Sequence, residues 1–262
     1  MKPQLLREVE YADLDTYLDS DDYAMSQKLD GTRVMIKRTS TGVQGIGRSG
    51  GTIPLPGNVR SAFMKVKSDW TFDGELIGDT YHVFDVVEFP GGTLAHHPWR
   101  ERHKLCQNVL QDFASCVKVV PQYFGDNKRK FFQDCNDART EGVVFSNVNG
   151  RYRYGTRSPL SLKYKFVKTI DCIVIDKEVN SKDNIALGVY DNGELVDIGK
   201  CSAITGDGKK TSFNVGDVVT VTYLYGTNAK RLYQPVRPML RTDKEPQECL
   251  MDQMILKSDT IL

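Results

Sequence analysis

The sequence predicts an α+β fold in two domains, a larger one of antiparallel sheets with flanking helices followed by a smaller all-β one. Two observations carry that expectation. Before about residue 168, short β-patterned runs are interspersed with helical ones, without the regular alternation of a βαβ protein. After Val167 helical periodicity nearly vanishes until the last residues, and short strand-like runs separated by polar, Gly-rich turns take over.

The N-terminal strands are expected at Arg33–Arg38 (RVMIKR), Trp70–Ile77 (WTFDGELI), Tyr81–Phe89 (YHVFDVVEF) and Glu141–Ser146 (EGVVFS). Each is rich in β-branched or aromatic residues and bounded by turn-forming ones. His97-Pro98 opens a helix in which Leu105, Val109 and Phe113 recur on one face, and a second helix is expected over Lys128–Arg139. In the C-terminal part the strands fall at Asp171–Asp176, Ile185–Tyr190, Leu195–Gly199 and Asp217–Tyr225, with turns at Asp191-Asn192-Gly193 and Gly206-Asp207-Gly208. A segment of this length and texture fits a five-stranded OB-fold barrel. The expected domains are residues 1–168 and 169–262.

Composition sets the class. The 262 residues are 40% hydrophobic and 10% aromatic, enough for a core of ordinary size. The six cysteines are scattered without a CxxC pair or Cys/His metal spacing, which reads as reduced thiols. No apolar run approaches the roughly 18 residues of a membrane span, and the N-terminus is too acidic and interrupted for a signal peptide. The expectation is a soluble cytoplasmic protein with no membrane partner. A net charge of +1 neither proposes nor excludes a nucleic acid. The run from Gly150 to Lys168 says more: six basic residues and no acidic one, with Tyr152, Tyr154 and Tyr164 interleaved. Such a segment suits phosphate neutralisation with tyrosines packed on sugars or bases, or else a solvated strand face.

The sharpest local signal is Lys28-Leu29-Asp30-Gly31-Thr32-Arg33. As an isolated hexapeptide it reads either as a surface turn or as a nucleophilic amine. A free lysine titrates at about 10.4 and is protonated at neutral pH. To attack phosphorus it needs nearby positive charge or a metal, and Arg33, Lys163 and Lys165 are candidates for that charge.

Lys28–Arg33 resembles the KxDGxR motif of the covalent nucleotidyltransferases, the ATP-dependent DNA ligases and mRNA capping enzymes. Further stretches resemble that superfamily's motifs in its order: Phe72–Leu76 (III), Tyr81–Val86 (IIIa), Glu141–Val144 (IV), Leu162–Lys165 (V) and Arg241–Lys244 (RxDK, VI). The resemblance extends to about Gln253.

It implies an adenylation domain followed by an OB domain, with roles for particular residues. Lys28 would attack the α-phosphate of ATP and carry AMP. Gln27 would contact adenine through its backbone, Phe84 would stack on the base, and Glu75 would accept hydrogen bonds from the ribose. Glu141 would hold Mg²⁺ or Mn²⁺. Lys163 and Lys165, two apart on a strand and so on one face, would offset phosphate charge. Arg33 and Arg48 would reach the 5′-phosphate of a nick in duplex DNA. Arg241, Asp243 and Lys244 would act on the departing pyrophosphate. Ser26-Gln27 departs from the glutamate that many larger ligases carry just upstream of the lysine.

Three features favour a ligase over a GTP-dependent capping enzyme or an RNA ligase: the Arg48-Ser49-Gly50 turn, the stretch Val196–Gly206, and the tail from Glu245 to Gln253. That tail resembles small viral and archaeal ligases. A monomer is expected, and a virus-encoded source is open. A non-catalytic OB-fold nucleic-acid-binding protein would account for the C-terminal part but not for Lys28, Glu75 and Glu141. The histidines at 96, 97 and 103 fall in a linker and helix start rather than in a metal-ligand spacing.

Overall fold

The computed structural model describes residues 1–67, 69–111, 113–138, 140–177, 184–205 and 208–257. They divide into two compact units, residues 1–136 with 142–164, and residues 137–141 with 165–262.

In chain order the first unit carries β1 (Leu5–Glu8), α1 (Leu14–Asp19), β2 (Tyr23–Gln27), β3 (Thr32–Thr39), β4 (Gly42–Gly47) and β5 (Thr52–Ile53). There follow α2 (Gly57–Met64), β6 (Trp70–Ile77), β7 (Thr80–Phe89), β8 (Gly92–Thr93), α3 (Trp99–Leu110), β9 (Val117–Val119), α4 (Asn127–Asp137), β10 (Gly142–Asn147) and β11 (Arg157–Lys165). Two sheets result. The larger runs β5-β4-β3-β6-β7-β8 with β9 added beside β7, and the smaller runs β1-β11-β10-β2. In β3, consecutive Val34, Met35 and Ile36 are all fully buried, as in a strand covered on both faces. Phe72, Tyr81 and Val83 of the neighbouring strands join Val34 and Ile36 in the main cluster, against Phe63 of α2 and Cys106 of α3.

Helix α3 differs from expectation. It buries Trp99, Arg102, His103, Cys106 and Leu110, whereas Leu105 and Val109 are half-buried at the margin and Phe113 lies beyond its end. Arg102 turns inward because it has partners there: its Nε and NH2 donate to Asp85 at 2.8 and 2.7 Å, and its NH1 to the Gly150 carbonyl at 3.1 Å. Helix α4 starts one residue earlier than expected, and Arg139, its expected end, lies outside the described residues.

The interleaved tyrosines also part from expectation. Arg151 and Arg153 are exposed, but Tyr152 is buried and Tyr154 half-buried between them. Both rings pack on the cluster of Met35, Ile46, Val87 and Ala95, and Tyr164 lies 5.8 Å from Phe132. These rings pack within the protein, which leaves the arginines to face solvent.

The second unit contains β12 (Lys168–Lys177), β13 (Asn184–Asp191), β14 (Glu194–Ser202), β15 (Val218–Tyr223), β16 (Tyr225–Gly226), β17 (Leu232–Tyr233) and β18 (Val236–Leu240). Its main sheet is antiparallel, ordered β14-β13-β12-β15-β18. Alternate residues such as Ile170, Cys172 and Val174, or Val219 and Val221, fill its core. The edges β14 and β18 approach one another, but among the described residues no hydrogen-bonded ladder joins them, so the expected barrel is a curled, open sheet. At the β13–β14 hairpin both Asn192 and Gly193 have positive φ, 52° and 88°, which matches the right-handed strand twist. Gly206 and Asp207 of the other expected turn lie outside the described residues. Near the C-terminus the expected return of helical periodicity takes the form of two short 3₁₀ turns, Pro246–Glu248 and Met251–Gln253. Among the described residues no helix is long and apolar enough to cross a membrane.

Candidate active site

Lys28 is the first residue after β2. Gln27 is still paired with Val143 of β10, and the Lys28 backbone N–H donates to the Gly142 carbonyl at 2.8 Å. The chain then turns into β3 at Gly31, where a Cβ would lie 2.4 Å from the Leu76 carbonyl oxygen. Only glycine lets the loop pass this close to β6. The β3–β6 register then sets Arg33 opposite Glu75.

These residues converge on one cleft, about 720 Å³ with its mouth, lined among others by Gln27, Lys28, Arg33, Glu75 and Phe84. Arg33 Nε and NH2 donate to the two oxygens of Asp73, both at 2.7 Å, and the guanidinium lies 4.3 Å from the Phe84 ring centroid. The buried Tyr152 hydroxyl donates to the same Asp73 carboxylate. Burial opposes the Arg33 charge, but the attraction of Asp73 and its two hydrogen bonds outweigh burial and drive the pKa up. At Glu75 the balance is reversed. Burial pushes its carboxyl up to about 7, against the pull of Arg33, Lys28 and a hydrogen bond from the Gly31 backbone.

The other expected residues fall elsewhere. Lys163 lines β11 of the same unit, its Nζ 3.2 Å from Glu8. Arg48 is exposed in the turn after β4, which the Gly50 N–H closes on the Gly47 carbonyl at 2.9 Å. In the second unit, Glu141 is buried, and Lys165 Nζ lies 3.8 Å from it and donates to Gln234 at 2.9 Å. Arg241, Asp243 and Lys244 form a closed network there. Arg241 makes two 2.8 Å bonds to Asp243, and both Arg241 (3.3 Å) and Lys244 (2.5 Å) donate to Asp171 on β12. The Arg241 hydrogen bonds hold the Asp243 carboxyl down at about 2.

The sequence assigned no role to Asp73, Asp85, Arg102, Gln122 or Asp171, and it set Tyr152 among the rings expected on sugars or bases or on a solvated strand face. Apart from Gln122, their partners lie far along the chain, and no local pattern announces the pairings. Among the described residues no three His, Cys, Asp or Glu side chains cluster as a metal site. Single carboxylates such as Glu141 suit a hard cation that takes most of its ligands from phosphates and water.

Residues 78–165 match the family described as ATP dependent DNA ligase domain. The chain is 29% identical over 128 residues to the DNA ligase of Nanoarchaeum equitans, an alignment covering 47% of this chain and 23% of that protein. It is 28% identical over 131 residues to the DNA ligase of Methanopyrus kandleri, covering 45% and 23%. The chain thus spans about a quarter of the length of these relatives. Among solved structures, a Lig E DNA ligase described as a minimal DNA-binding scaffold is similar with a TM-score of 0.69 and 18% identity, over 92% of this chain and 99% of that one. The ligase domain of M. tuberculosis LigD follows the chain with a TM-score of 0.57 and 18% identity, over 95% and 98%. At these identities the likeness is one of fold, and the α+β expectation agrees with it.

Proposed function

We propose that this chain, a relative of the ATP-dependent DNA ligases of the covalent nucleotidyltransferase superfamily, is an ATP-dependent DNA ligase that carries AMP on Lys28 and seals nicks in duplex DNA. The observation that carries the reading is the gathering of Lys28, Arg33, Glu75 and Phe84 around one cleft. The names of its relatives support the choice of DNA over RNA ends and of ATP over GTP.

Residues 1–168 serve as the adenylation domain and 169–262 as the OB domain, in a monomer acting on nicked DNA. Lys28 Nζ attacks the α-phosphorus of ATP. The P–N bond forms as the bond to the β-phosphate oxygen breaks, the amine loses a proton and pyrophosphate leaves. A 5′-phosphate oxygen of the nick then attacks the same phosphorus, and Lys28 leaves and regains its proton. Finally the 3′-hydroxyl attacks the 5′-phosphate, the phosphodiester forms and AMP departs.

Phe84 stacks on the base, and Glu75 accepts hydrogen bonds from the ribose hydroxyls, which favour its charged form. Arg33 still has N–H groups beyond the two given to Asp73 with which to meet a phosphate, and Arg48 serves the 5′-phosphate of the nick. Lys163 and Lys165 offset charge on the reacting phosphorus, catalysis being mainly positioning and neutralisation. Glu141 would hold magnesium or manganese, which when bound draws charge from the phosphates. Arg241, Asp243 and Lys244 act on the pyrophosphate.

The test is intact-mass analysis after incubation with Mg²⁺ and ATP, GTP or NAD, followed by a nicked duplex. An adduct with ATP alone, lost in Lys28→Ala and discharged by a 5′-phosphate nick, is expected. Adduct formation with GTP in preference to ATP would move the chain to the capping enzymes.

A further inference from the structure

The segment between β9 and α4 joins the two sheets of the first unit. Val120 N–H donates to the Val83 carbonyl at 2.8 Å, one residue before Phe84. Tyr123 exchanges two backbone bonds with Met25 of β2, 2.9 and 2.7 Å, and its ring stacks on Phe131 at 3.7 Å. This antiparallel bridge sets Gln122 opposite Ser26, next to Gln27 and Lys28. Gln122 therefore lies between the strand of the stacking aromatic and the strand that delivers the nucleophile, and its side chain lines the same cleft.

Two acceptors in this cleft have no donor. The side-chain oxygens of Gln27 and Gln122 are both buried, and neither meets a hydrogen-bond partner. Buried polar atoms without partners are rare, and in a ligand cleft they point to a group the ligand supplies. The orientation of the Gln122 amide follows from its surroundings: Nε2 donates to the Val120 carbonyl at 3.4 Å. Turned over, it would set oxygen against oxygen, so Oε1 is the end left for the ligand.

Resting on the ligase reading, we infer that Gln122, together with Gln27, accepts hydrogen bonds from the exocyclic amino group of the purine and so selects a 6-aminopurine nucleotide. Adenine offers two N–H donors at that position. Guanine offers a carbonyl oxygen there, which would face two acceptors. A purine with only hydrogen at that carbon leaves both oxygens unpaired. The stacking aromatic is indifferent to these differences, so discrimination falls to the two amides.

The test compares single-turnover formation of the Lys28 adduct from ATP and from purine riboside triphosphate, which lacks the amino group, in the wild type and in Gln122→Leu and Gln122→Asn. The wild type should favour ATP by roughly ten- to hundredfold in kcat/KM. Gln122→Leu should lose about tenfold on ATP and little on the purine analogue, so that the preference collapses. Gln122→Asn, whose oxygen is withdrawn by one methylene, should fall between. The analogue also reports whether each variant is folded and able to react. Equal losses on both nucleotides, or an unchanged preference in both variants, would overturn the assignment of Gln122 while leaving the ligase reading intact. No adduct with any triphosphate in the wild type would overturn the ligase reading, and this assignment with it.

Discussion

Arg33 reaches diagonally across the β3–β6 ladder to Asp73, two positions from its register partner Glu75, and closes two parallel bonds of 2.7 Å. Asp73 is fully buried and also receives the Tyr152 hydroxyl, so a cation, a carboxylate and a phenol are tied together on the wall of the cleft. Removing one member leaves the others without partners in a poorly hydrated place. Asp73→Ala should therefore destabilise the chain by roughly 3 kcal/mol, read as a lower urea midpoint. A loss no larger than that of an exposed substitution would show that water replaces the carboxylate at no cost.

Glu75 gives a pH signature. Its carboxyl is raised from an ordinary value of 4.5 to about 7 in the folded chain. The folded state therefore binds more protons than the unfolded state between those values. A raised carboxyl contributes its full stability below the unfolded pKa, and that contribution is lost as pH rises through the folded one. Between pH 4.5 and 7 the wild type should lose roughly 1–2 kcal/mol relative to Glu75→Gln, discounted for the partial exposure of the side chain. Parallel stability curves for the two proteins across that window would refute the shift.

Lys28→Ala should abolish the AMP adduct while changing folding stability by less than about 0.5 kcal/mol. The variant should still seal a nick that already carries 5′-adenylate. Retention of the adduct, seen by mass, would assign the nucleophile to another lysine.

Arg241→Ala and Asp243→Ala should lose adduct formation yet seal the pre-adenylylated nick. Arg33→Ala and Arg48→Ala should be impaired on that same nick. Single-turnover assays separate the two groups. Normal charging with failure at the activated nick would give Arg241 and Asp243 a role in holding DNA instead.

Gly31→Ala should lose adduct formation along with stability, because the added methyl would stand 2.4 Å from the Leu76 carbonyl and force the loop off β6. Thermal melting and intact mass on one sample check both effects.

The strands that sequence alone located are those with dense β-branched or aromatic runs, such as Trp70–Ile77, found with the same limits in the structure. Those it missed carry weak patterns. Gly42–Gly47 holds three glycines, Tyr23–Gln27 mixes small and polar residues, and Val236–Leu240 contains Pro238. Arg102 drew no expectation from the sequence, because the carboxylate that admits its charge to the interior lies seventeen positions away. Tyr152 read as a surface ring among arginines for the same reason, its hydroxyl partner being seventy-nine positions distant. Lys28 and Glu75 were visible because their neighbours in sequence form motifs. Gln122 and Asp171 stand in no such motif, and geometry alone brings them forward.

The network of Arg241, Lys244, Asp171 and Asp243 balances two positive charges against two negative ones. So arranged, it has almost no monopole, and its field decays within a few ångströms rather than over a Debye length of about 8 Å. An approaching polyanion is therefore not steered by this patch from afar. Phosphates can engage Arg241 and Lys244 only at contact, by competing with Asp171 and Asp243 for their N–H donors. Salt should accordingly slow the encounter with DNA, which outward-facing arginines such as Arg151 and Arg153 can guide, while hardly altering what these four residues do once a phosphate has arrived.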